Sequence, residues 1–188
     1  MSFSLSDCSD GELAALALAG RQAAYRELLA RHREAVFRLV RATIGDPAEA
    51  IDVTQEAFIS AFAALKRYDP DRPFIAWLKR IALNKCRDWA RRRSVRRFFS
   101  FALPIEAAET VSDDSIPADQ QLADRAELAR VREGITRLPP AIREPLILRT
   151  IEGLTQSETA EILGISEKAV ETRVYRARRA LQADVALK

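Results

Sequence analysis

Residues 155–166 read TQSETAEILGIS, and this stretch decides how the second half of the chain folds. Thr155 and Glu158 have the spacing of a capping box, in which the hydroxyl accepts from the amide three residues on and the carboxylate reaches back to the cap amide. Gly164 permits the left-handed backbone of a tight turn, and Ser166 can cap the helix that follows. The stretch therefore predicts two helices joined by a tight turn, a helix-turn-helix.

The second of these helices has one apolar and one polar face when it is projected at about 100° per residue. The apolar stripe, which we expect to face the core, consists of Val170, Val174, Ala177 and Leu181. The opposite face carries donors, one acceptor and an aromatic ring: Lys168, Glu171, Thr172, Tyr175, Arg176 and Arg179. Such a face suits contacts with base edges and phosphates in a major groove. An ordinary helical hairpin with a solvated face is the alternative interpretation.

Helical periodicity extends outward from this motif over most of the chain, and no segment alternates as a strand would. Because Ala, Leu, Arg and Glu abound, the predicted fold class is all-α. Helices are predicted over about 22–44, 48–66, 74–93, 120–137 and 141–152, followed by two short ones. The expected organisation is two small helical domains, residues 1–97 and 126–188, joined by a flexible acidic linker, residues 98–125.

Charge is distributed unevenly along the chain, although the net charge is only +3. Residues 66–97 contain twelve Lys and Arg against three Asp, a local balance of +9. Residues 104–127 contain seven Asp and Glu against one Arg, a local balance of −6. The basic block indicates a surface that binds a polyanion. The acidic block next to it indicates a segment that either keeps away from this surface or imitates the charge of the polyanion. The alternative is that both charged blocks are solvent-exposed faces without a binding partner.

The basic block contains a helix that begins near Phe74 and combines an aromatic ring with cationic and amide side chains. One sector of its projection carries Trp77, Arg80, Asn84, Arg87, Asp88 and Arg91, and the core side carries Leu78, Ile81, Ala82 and Trp89. Arginine grips phosphate, asparagine pairs with base edges, and aromatic rings stack on unpaired bases. Tyr68, in the turn before this helix, offers a second ring. Trp77 either serves such a surface or packs against neighbouring helices, and the sequence leaves both open.

Composition argues against several other functions. Cys8, Cys86 and the single His32 give no ligand set for a zinc site. No Gly-rich phosphate loop and no nucleophile–base pair can be assembled, so we expect no enzymatic activity, no cofactor and no metal. The apolar stretch 13–19 is too short to span a bilayer and nothing resembles a signal peptide, so we expect no membrane insertion and a cytoplasmic location.

Two long segments resemble a known family. Residues 46–58, DPAEAIDVTQEAF, and residues 74–84, FIAWLKRIALN, are similar to region 2 of bacterial sigma factors. Residues 138–155, LPPAIREPLILRTIEGLT, and the segment that ends with YRARRAL at 175–181 are similar to sigma region 4. Their order and separation resemble the extracytoplasmic-function group of the sigma-70 family. The resemblance implies a specificity subunit that recruits RNA polymerase to promoters.

The resemblance also implies an assignment for three surfaces. Contact with the clamp helices of the largest polymerase subunit is expected from Asp52, Gln55, Glu56 and Ile59. The separated non-template strand of the −10 element is expected on Tyr68, Trp77, Arg80, Asn84, Arg87 and Arg91. The −35 element is expected on Lys168, Glu171, Thr172, Arg173, Tyr175, Arg176 and Arg179, with Arg173 on phosphate. Further partners implied are the polymerase flap and an anti-sigma protein.

Three positions depart from the family's pattern. Glu171 lies where many relatives carry a basic residue, which suggests an altered −35 preference. Ile51 replaces a frequent acid, and helical projection places it on a core stripe with Phe58 and Phe62. Pro145 lies inside a predicted helix and is tolerable there only within the first turn.

Two questions stay open at this stage. The alternative to a sigma factor is a dimeric helix-turn-helix regulator of duplex DNA, which explains residues 138–182 and leaves the region 2-like half without a role. The acidic linker is either a plain tether or a segment that threads the polymerase channel for RNA, with Asp113, Asp114 and Asp119 imitating the charge of RNA.

Overall fold

The computed structural model describes residues 4–102 and 119–186, and all regular structure in these two ranges is helical. The all-α prediction is confirmed. The α-helices of the described ranges are α1 Asp10–Leu18, α2 Gln22–Ile44, α3 Pro47–Ala63, α4 Phe74–Ala102, α5 Asp119–Arg137, α6 Pro140–Thr150, α7 Gln156–Leu163 and α8 Glu167–Ala186. Short 3-10 helices lie at Leu5–Asp7 and Leu65–Arg67.

Helices α1 to α4 pack around an apolar core in the N-terminal half. Fully buried side chains come from each of the four helices, among them Leu13, Leu28, Val53 and Leu78. Burial of such a side chain stabilises the fold by about 1.5–3 kcal/mol relative to leaving it exposed. This core fixes the orientation of α4, the helix that carries the basic block.

Asp46 caps α3 as the sequence predicts. Its Oδ1 accepts from the backbone amides of Ala48 at 3.0 Å and Glu49 at 3.1 Å. Pro47 occupies the first turn, where a missing amide donor costs nothing. Gly45 ends α2 in the left-handed conformation, with φ of 81°. Residues 45–47 thus end α2 and begin α3.

The predicted core stripe of α3 is wrong at Ile51, which is 52% exposed. The stripe that packs on α2 and α4 is built mainly from smaller side chains, with Ala50, Val53 and Ala57 buried beside Phe58. Small residues let helices approach closely, so the face that lies nearest its neighbours need not be the face with the largest apolar side chains. Projection of the bulky residues alone overlooked this face.

Helix α4 continues to Ala102, well past its predicted end near Arg93. The expected linker is therefore helical at both ends, because residues 98–102 belong to α4 and residues 119–125 to α5. Its middle, residues 103–118, lies outside the described residues, and the hypothesis about Asp113 and Asp114 falls there. Five arginines among residues 91–97 carry the helix onward, because arginine is a good helix former.

The C-terminal half contains the predicted helix-turn-helix. Thr155 Oγ1 accepts from the Glu158 amide at 3.2 Å, and Glu158 Oε2 accepts from the Thr155 amide at 2.7 Å. The hydroxyl and the amide of Thr155 both donate to the Glu158 carboxylate, and these two bonds lower the pKa of Glu158. Gly164 has φ of 65° and ψ of 40°, and Ser166 Oγ accepts from the amide of Ala169 at 3.2 Å. Both predicted caps and the turn are confirmed.

The core stripe of α8 is also confirmed, since Val170, Val174 and Ala177 are buried and Leu181 packs against the same cluster. The length of α8 was underestimated. The helix spans 20 residues, Glu167–Ala186, where a short helix was predicted. Its many Ala, Arg and Glu residues explain the extension.

Pro145 lies beyond the first turn of α6. The prediction that a proline is tolerable here only within the first turn is therefore wrong. Without an amide it cannot donate to the carbonyl of Ala141, and α6 nevertheless continues to Thr150. Pro145 is buried, as are Leu146, Ile147 and Leu148 after it. Burial of this apolar row offsets the loss of one hydrogen bond.

We expect Gly164→Ala to destabilise the protein by about 1–2 kcal/mol, because its left-handed conformation strains any residue with a Cβ. Gly11→Ala is the matched control. Gly11 lies inside α1, and a Cβ there would meet Pro70 Cβ at an ordinary 3.6 Å, so stability should hold or rise by about 0.4–1 kcal/mol. Urea unfolding of both variants measures the difference, and equal effects would contradict the assignment of the turn.

Candidate nucleic-acid interface

Three aromatic rings meet where α4 begins. Phe74 is buried, and the rings of Tyr68 and Trp77 lie 5.1 Å and 5.6 Å from it between centroids. Tyr68 and Trp77 are both partly exposed and lie 5.4 Å apart. The Tyr68 hydroxyl donates to the carbonyl of Arg72 at 2.7 Å. Burial, followed by the charges of nearby aspartates, raises the pKa of Tyr68. Phe74 thus supports both rings from below and leaves part of each exposed, an arrangement suited to stacking on unpaired bases.

A polar stripe continues from Trp77 along one face of α4. Arg80, Asn84 and Arg91 are exposed on it, and Arg87 is half-buried between them. These residues recur every three or four positions and so share a face. Asn84 Oδ1 accepts from Arg87 Nη1 at 2.9 Å, and Arg91 forms an ion pair with Asp88.

The two interpretations of Trp77 turn out to be compatible. Its ring packs against the N-terminal core through Phe74 and Tyr68. The same side chain remains partly exposed beside Arg80 at the start of the polar stripe. Packing therefore orients the ring and does not remove it from the surface.

Two arginines of the stripe contact the C-terminal half of the protein. Arg80 Nε donates to the carbonyl of Ile162 at 2.9 Å, and its Nη2 donates to the carbonyl of Glu161. Arg87 Nε donates to Glu144 Oε1 at 2.7 Å, and this bond raises the pKa of Arg87. The structure thus places both predicted residues at a contact between the halves, which the sequence analysis missed.

The outward face of α8 is open to solvent, as its projection indicates. Tyr175 is 61% exposed, and Lys168, Thr172, Arg176 and Arg179 are exposed with it. Arg173 is partly buried beside the core stripe, and Thr172 Oγ1 donates to the carbonyl of Lys168 at 2.9 Å. The face is therefore available to a duplex.

Glu171 forms an ion pair on this face, with its Oε2 at 2.9 Å from Lys168 Nζ. A groove of about 480 Å³ runs beside the pair. Its lining includes three polar residues that the sequence analysis missed: Arg149, Gln156 and Arg178. Arg149 comes from α6, which packs against α8, so only the tertiary structure brings it here.

The acidic face of α3 combines charged and apolar side chains. Asp52 and Gln55 are exposed, and Ile59 is 68% exposed. Glu56 pairs with Arg92 of α4 at 3.1 Å, so part of the acidic face is neutralised within the protein. Val95 of α4 is exposed and lines a groove between α3 and α4, a position that the sequence analysis did not predict. An apolar strip flanked by charge suits a charged helical partner.

Within residues 4–102 and 119–186, no group of three or more His, Cys, Asp or Glu side chains is arranged to hold a metal ion. None of the helices searched in these ranges is long and apolar enough to cross a membrane.

Comparison with known proteins connects these surfaces to a family. The family model for sigma-70 region 2 matches residues 28–96, and the model for sigma-70 region 4 matches residues 128–181. The RNA polymerase sigma factor CnrH of Cupriavidus metallidurans is 44% identical over 178 residues, which cover 93% of each chain. The RNA polymerase sigma factor NccH of Alcaligenes xylosoxydans is 41% identical, again with 93% of each chain covered.

A solved structure has the same arrangement of helices over most of its length. The structure of CnrH in complex with the cytosolic domain of CnrY superimposes with a TM-score of 0.67 at 37% sequence identity. The match covers 95% of this chain and 98% of that one.

Proposed function

This chain belongs to the sigma-70 family of RNA polymerase sigma factors, in its extracytoplasmic-function group, and we propose that its two helical halves divide promoter recognition between them. As a sigma factor, it binds core RNA polymerase and directs initiation to promoters. In our proposal α4 holds the separated non-template strand of the −10 element, and α8 holds the −35 duplex. The observation that carries the proposal is the supported Tyr68–Trp77 pair beside a stripe of Arg and Asn.

The energetics of strand capture favour this use of α4. Opening a base-pair step costs about 1.4 kcal/mol in stacking. Stacking of an extruded base on an aromatic side chain returns about 1–3 kcal/mol. In this proposal Trp77 and Tyr68 capture one or two bases, while Arg80 and Arg87 bind phosphates. The free energy gained in this way offsets the cost of local melting, so no ATP is needed. Asn84 is left to hydrogen-bond a base edge.

We expect Trp77→Ala to reduce open-complex formation about 5- to 100-fold, which corresponds to the loss of one stacked base. Asn84→Ala should reduce it about fivefold, as expected for one hydrogen bond. The measurement is transcription in vitro with core polymerase on a double-stranded promoter. Arg38→Ala, at an exposed ion pair on α2, is the control and should behave as the parent.

A promoter template with a mismatched −10 region separates melting from folding defects. The template is already open there, so the loss caused by Trp77→Ala should shrink on it. A loss of the same size on both templates would point to misfolding and speak against strand capture.

The helix-turn-helix is proposed to place α8 in the major groove of the −35 element. Arg176 and Arg179 are exposed for phosphate or guanine contacts, and Tyr175 adds an apolar surface. Glu171 can accept from a cytosine amino group only when it leaves its ion pair with Lys168. The lysine then becomes free for phosphate, so both members of the pair gain a DNA partner together.

Core polymerase is proposed to dock on the acidic face of α3, through Asp52, Gln55, Glu56 and Ile59. Support comes from the exposure of Asp52 and Ile59, which are seven residues apart and therefore share one face of α3. Complementary charge speeds encounter with a basic coiled coil such as the polymerase clamp helices, and apolar contact then holds the complex. Attachment of the C-terminal half to the polymerase flap is part of the same proposal.

Asp52→Arg should weaken binding to core polymerase about tenfold at low salt, because it reverses a charge at the proposed contact. Glu34→Arg makes the same change in net charge on an exposed position of α2 and should leave the affinity unaltered. Fluorescence anisotropy of labelled protein titrated with core polymerase gives both affinities. Equal affinities for the two variants would show that α3 does not contact core polymerase.

Regulation by an anti-sigma protein is also proposed. CnrH, 37% identical in the matched structure, was solved with the cytosolic domain of CnrY bound. The groove between α3 and α4 and the exposed side chains of Ile51, Ile59 and Val95 offer a surface for a helical partner. The protein is proposed to act in the cytoplasm beside the polymerase and to contribute binding rather than catalysis.

A further inference from the structure

His32 of α2 lies against the aromatic cluster at the start of α4. Its ring centroid is 5.4 Å from that of Phe74, and the two ring planes are inclined by 40°. Phe74 is also the ring on which Tyr68 and Trp77 pack. Contacts between flat rings have preferred distances and angles, so each ring restricts the orientation of the next. His32 is therefore one contact away from both rings that are assigned to unpaired bases.

A hydrogen bond to α1 fixes the ring of His32. Its Nε2 lies 2.8 Å from Asp10 Oδ2, and because an ionised carboxylate only accepts, the histidine is the donor. The two side chains are only 13% and 24% exposed, so water has little access to the bond. Arg31 donates to the other carboxylate oxygen at 3.3 Å. Asp10 is thus held at both oxygens and gives His32 a partner in a defined position.

Arg31 also fixes the segment that precedes α1. Its two terminal nitrogens donate to the backbone carbonyls of Leu5, Ser6 and Cys8 at 2.7–3.0 Å. One guanidinium, which has five N–H groups, thus binds three carbonyls and one carboxylate of the same segment. Asp10 is therefore fixed relative to α2, the helix that carries His32.

The first turn of α1 also contacts the turn that carries Tyr68. A Cβ on Gly11 would lie 3.6 Å from Pro70 Cβ and 3.9 Å from the Pro70 carbonyl oxygen, so the two backbones run close together. Burial and, after it, the charge of Asp10 raise the pKa of Tyr68, which places Asp10 within electrostatic reach of the Tyr68 hydroxyl. The first turn of α1 thus supports the aromatic cluster at two points, one through His32 and one through Pro70.

We propose that His32, held by Asp10, is a positioning residue for the Tyr68–Trp77 pair, and that α1 is thereby part of the unit that captures the −10 strand. The match to the region 2 model begins at residue 28, so α1 lies outside it. The proposal rests on the proposed function, because it takes the two rings as the surface for unpaired bases. His32 acts only through Phe74 and does not contact DNA. A ring that is already oriented binds a base without the entropic cost of being ordered.

We expect His32→Ala to reduce open-complex formation about 2- to 12-fold, which corresponds to the cost of ordering one side chain on binding. The measurement is transcription in vitro by the holoenzyme on a double-stranded promoter. Arg33→Ala, at the next and exposed position of α2, is the matched control and should behave as the parent. Activity of His32→Ala equal to that of this control would overturn the proposal.

A double-mutant cycle separates positioning from a general loss of stability. In a Trp77→Ala background, His32→Ala should cause a smaller further loss of transcription than it causes in the parent, because one of the rings that it positions is gone. A further loss of the full size would show that His32 acts independently of Trp77, and the proposal would then be wrong.

Tryptophan fluorescence gives a readout that does not involve DNA. The protein contains two tryptophans, and Trp89 is only 7% exposed, so quenching by iodide reports mainly on Trp77. The quenching constant of the holoenzyme's sigma subunit is masked by polymerase, so the free full chain is used. We expect the constant to rise in His32→Ala, because the Trp77 ring loses its support, and to stay at the parent value in Arg33→Ala. Equal constants in the two variants would contradict a positioning role.

Variants of Asp10 cover the case in which His32→Ala loses helical structure by circular dichroism. Asp10→Asn keeps an oxygen that accepts from His32 Nε2, whereas Asp10→Ala has no acceptor, and both remove the same charge. Transcription should therefore stay near the parent level with Asp10→Asn and fall with Asp10→Ala. Equal activities of these two variants would show that the hydrogen bond does not position the rings.

Failure of this proposal and failure of the proposed function give different results. If α4 does not capture the strand, transcription is indifferent to Trp77→Ala as well as to His32→Ala. If only the positioning role is wrong, Trp77→Ala still reduces transcription and His32→Ala does not.

Discussion

Helix α4 is buried on two sides, and the rest of the structure depends on this double burial. Leu78, Ala82 and Cys86 face the N-terminal core, while Lys79 and Leu83 face the C-terminal half. Successive residues of a helix point about 100° apart, so adjacent positions can serve two cores at once. Cys86 is buried on the inner side of this helix, and this burial raises the pKa of its thiol to about 12.

The two sides of α4 differ in chemistry, and the difference fits their roles. The inner side is apolar and makes a permanent core with α1, α2 and α3. The other side combines an apolar cluster with buried ion pairs and an arginine on the end of α7. Contacts between domains are commonly of this more polar kind, and relative motion is expected across them. One helix thus holds the N-terminal core together and also supplies the contact with the C-terminal half.

Much of the candidate site follows from local patterns. The spacing of Trp77, Arg80 and Asn84 places them on one face of α4, and the capping residues around Gly164 specify the helix-turn-helix. The errors also have physical causes. Ile51 was assigned to the core because large apolar residues were weighted above alanines, and Pro145 was judged by its missing amide without regard to its burial.

The sequence by itself determined the helices, their caps, the turn at Gly164 and the polar faces of α4 and α8. Each of these signals comes from residues within about four positions of one another, a distance over which helix geometry is fixed. Only the tertiary structure decided that Arg87 meets Glu144, 57 residues away, and that Arg80 meets Ile162, 82 residues away. Such pairings depend on which faces two domains bury against each other. The shape and the buried apolar area of the whole contact determine which faces pair, and the spacing of residues along the chain does not reveal this.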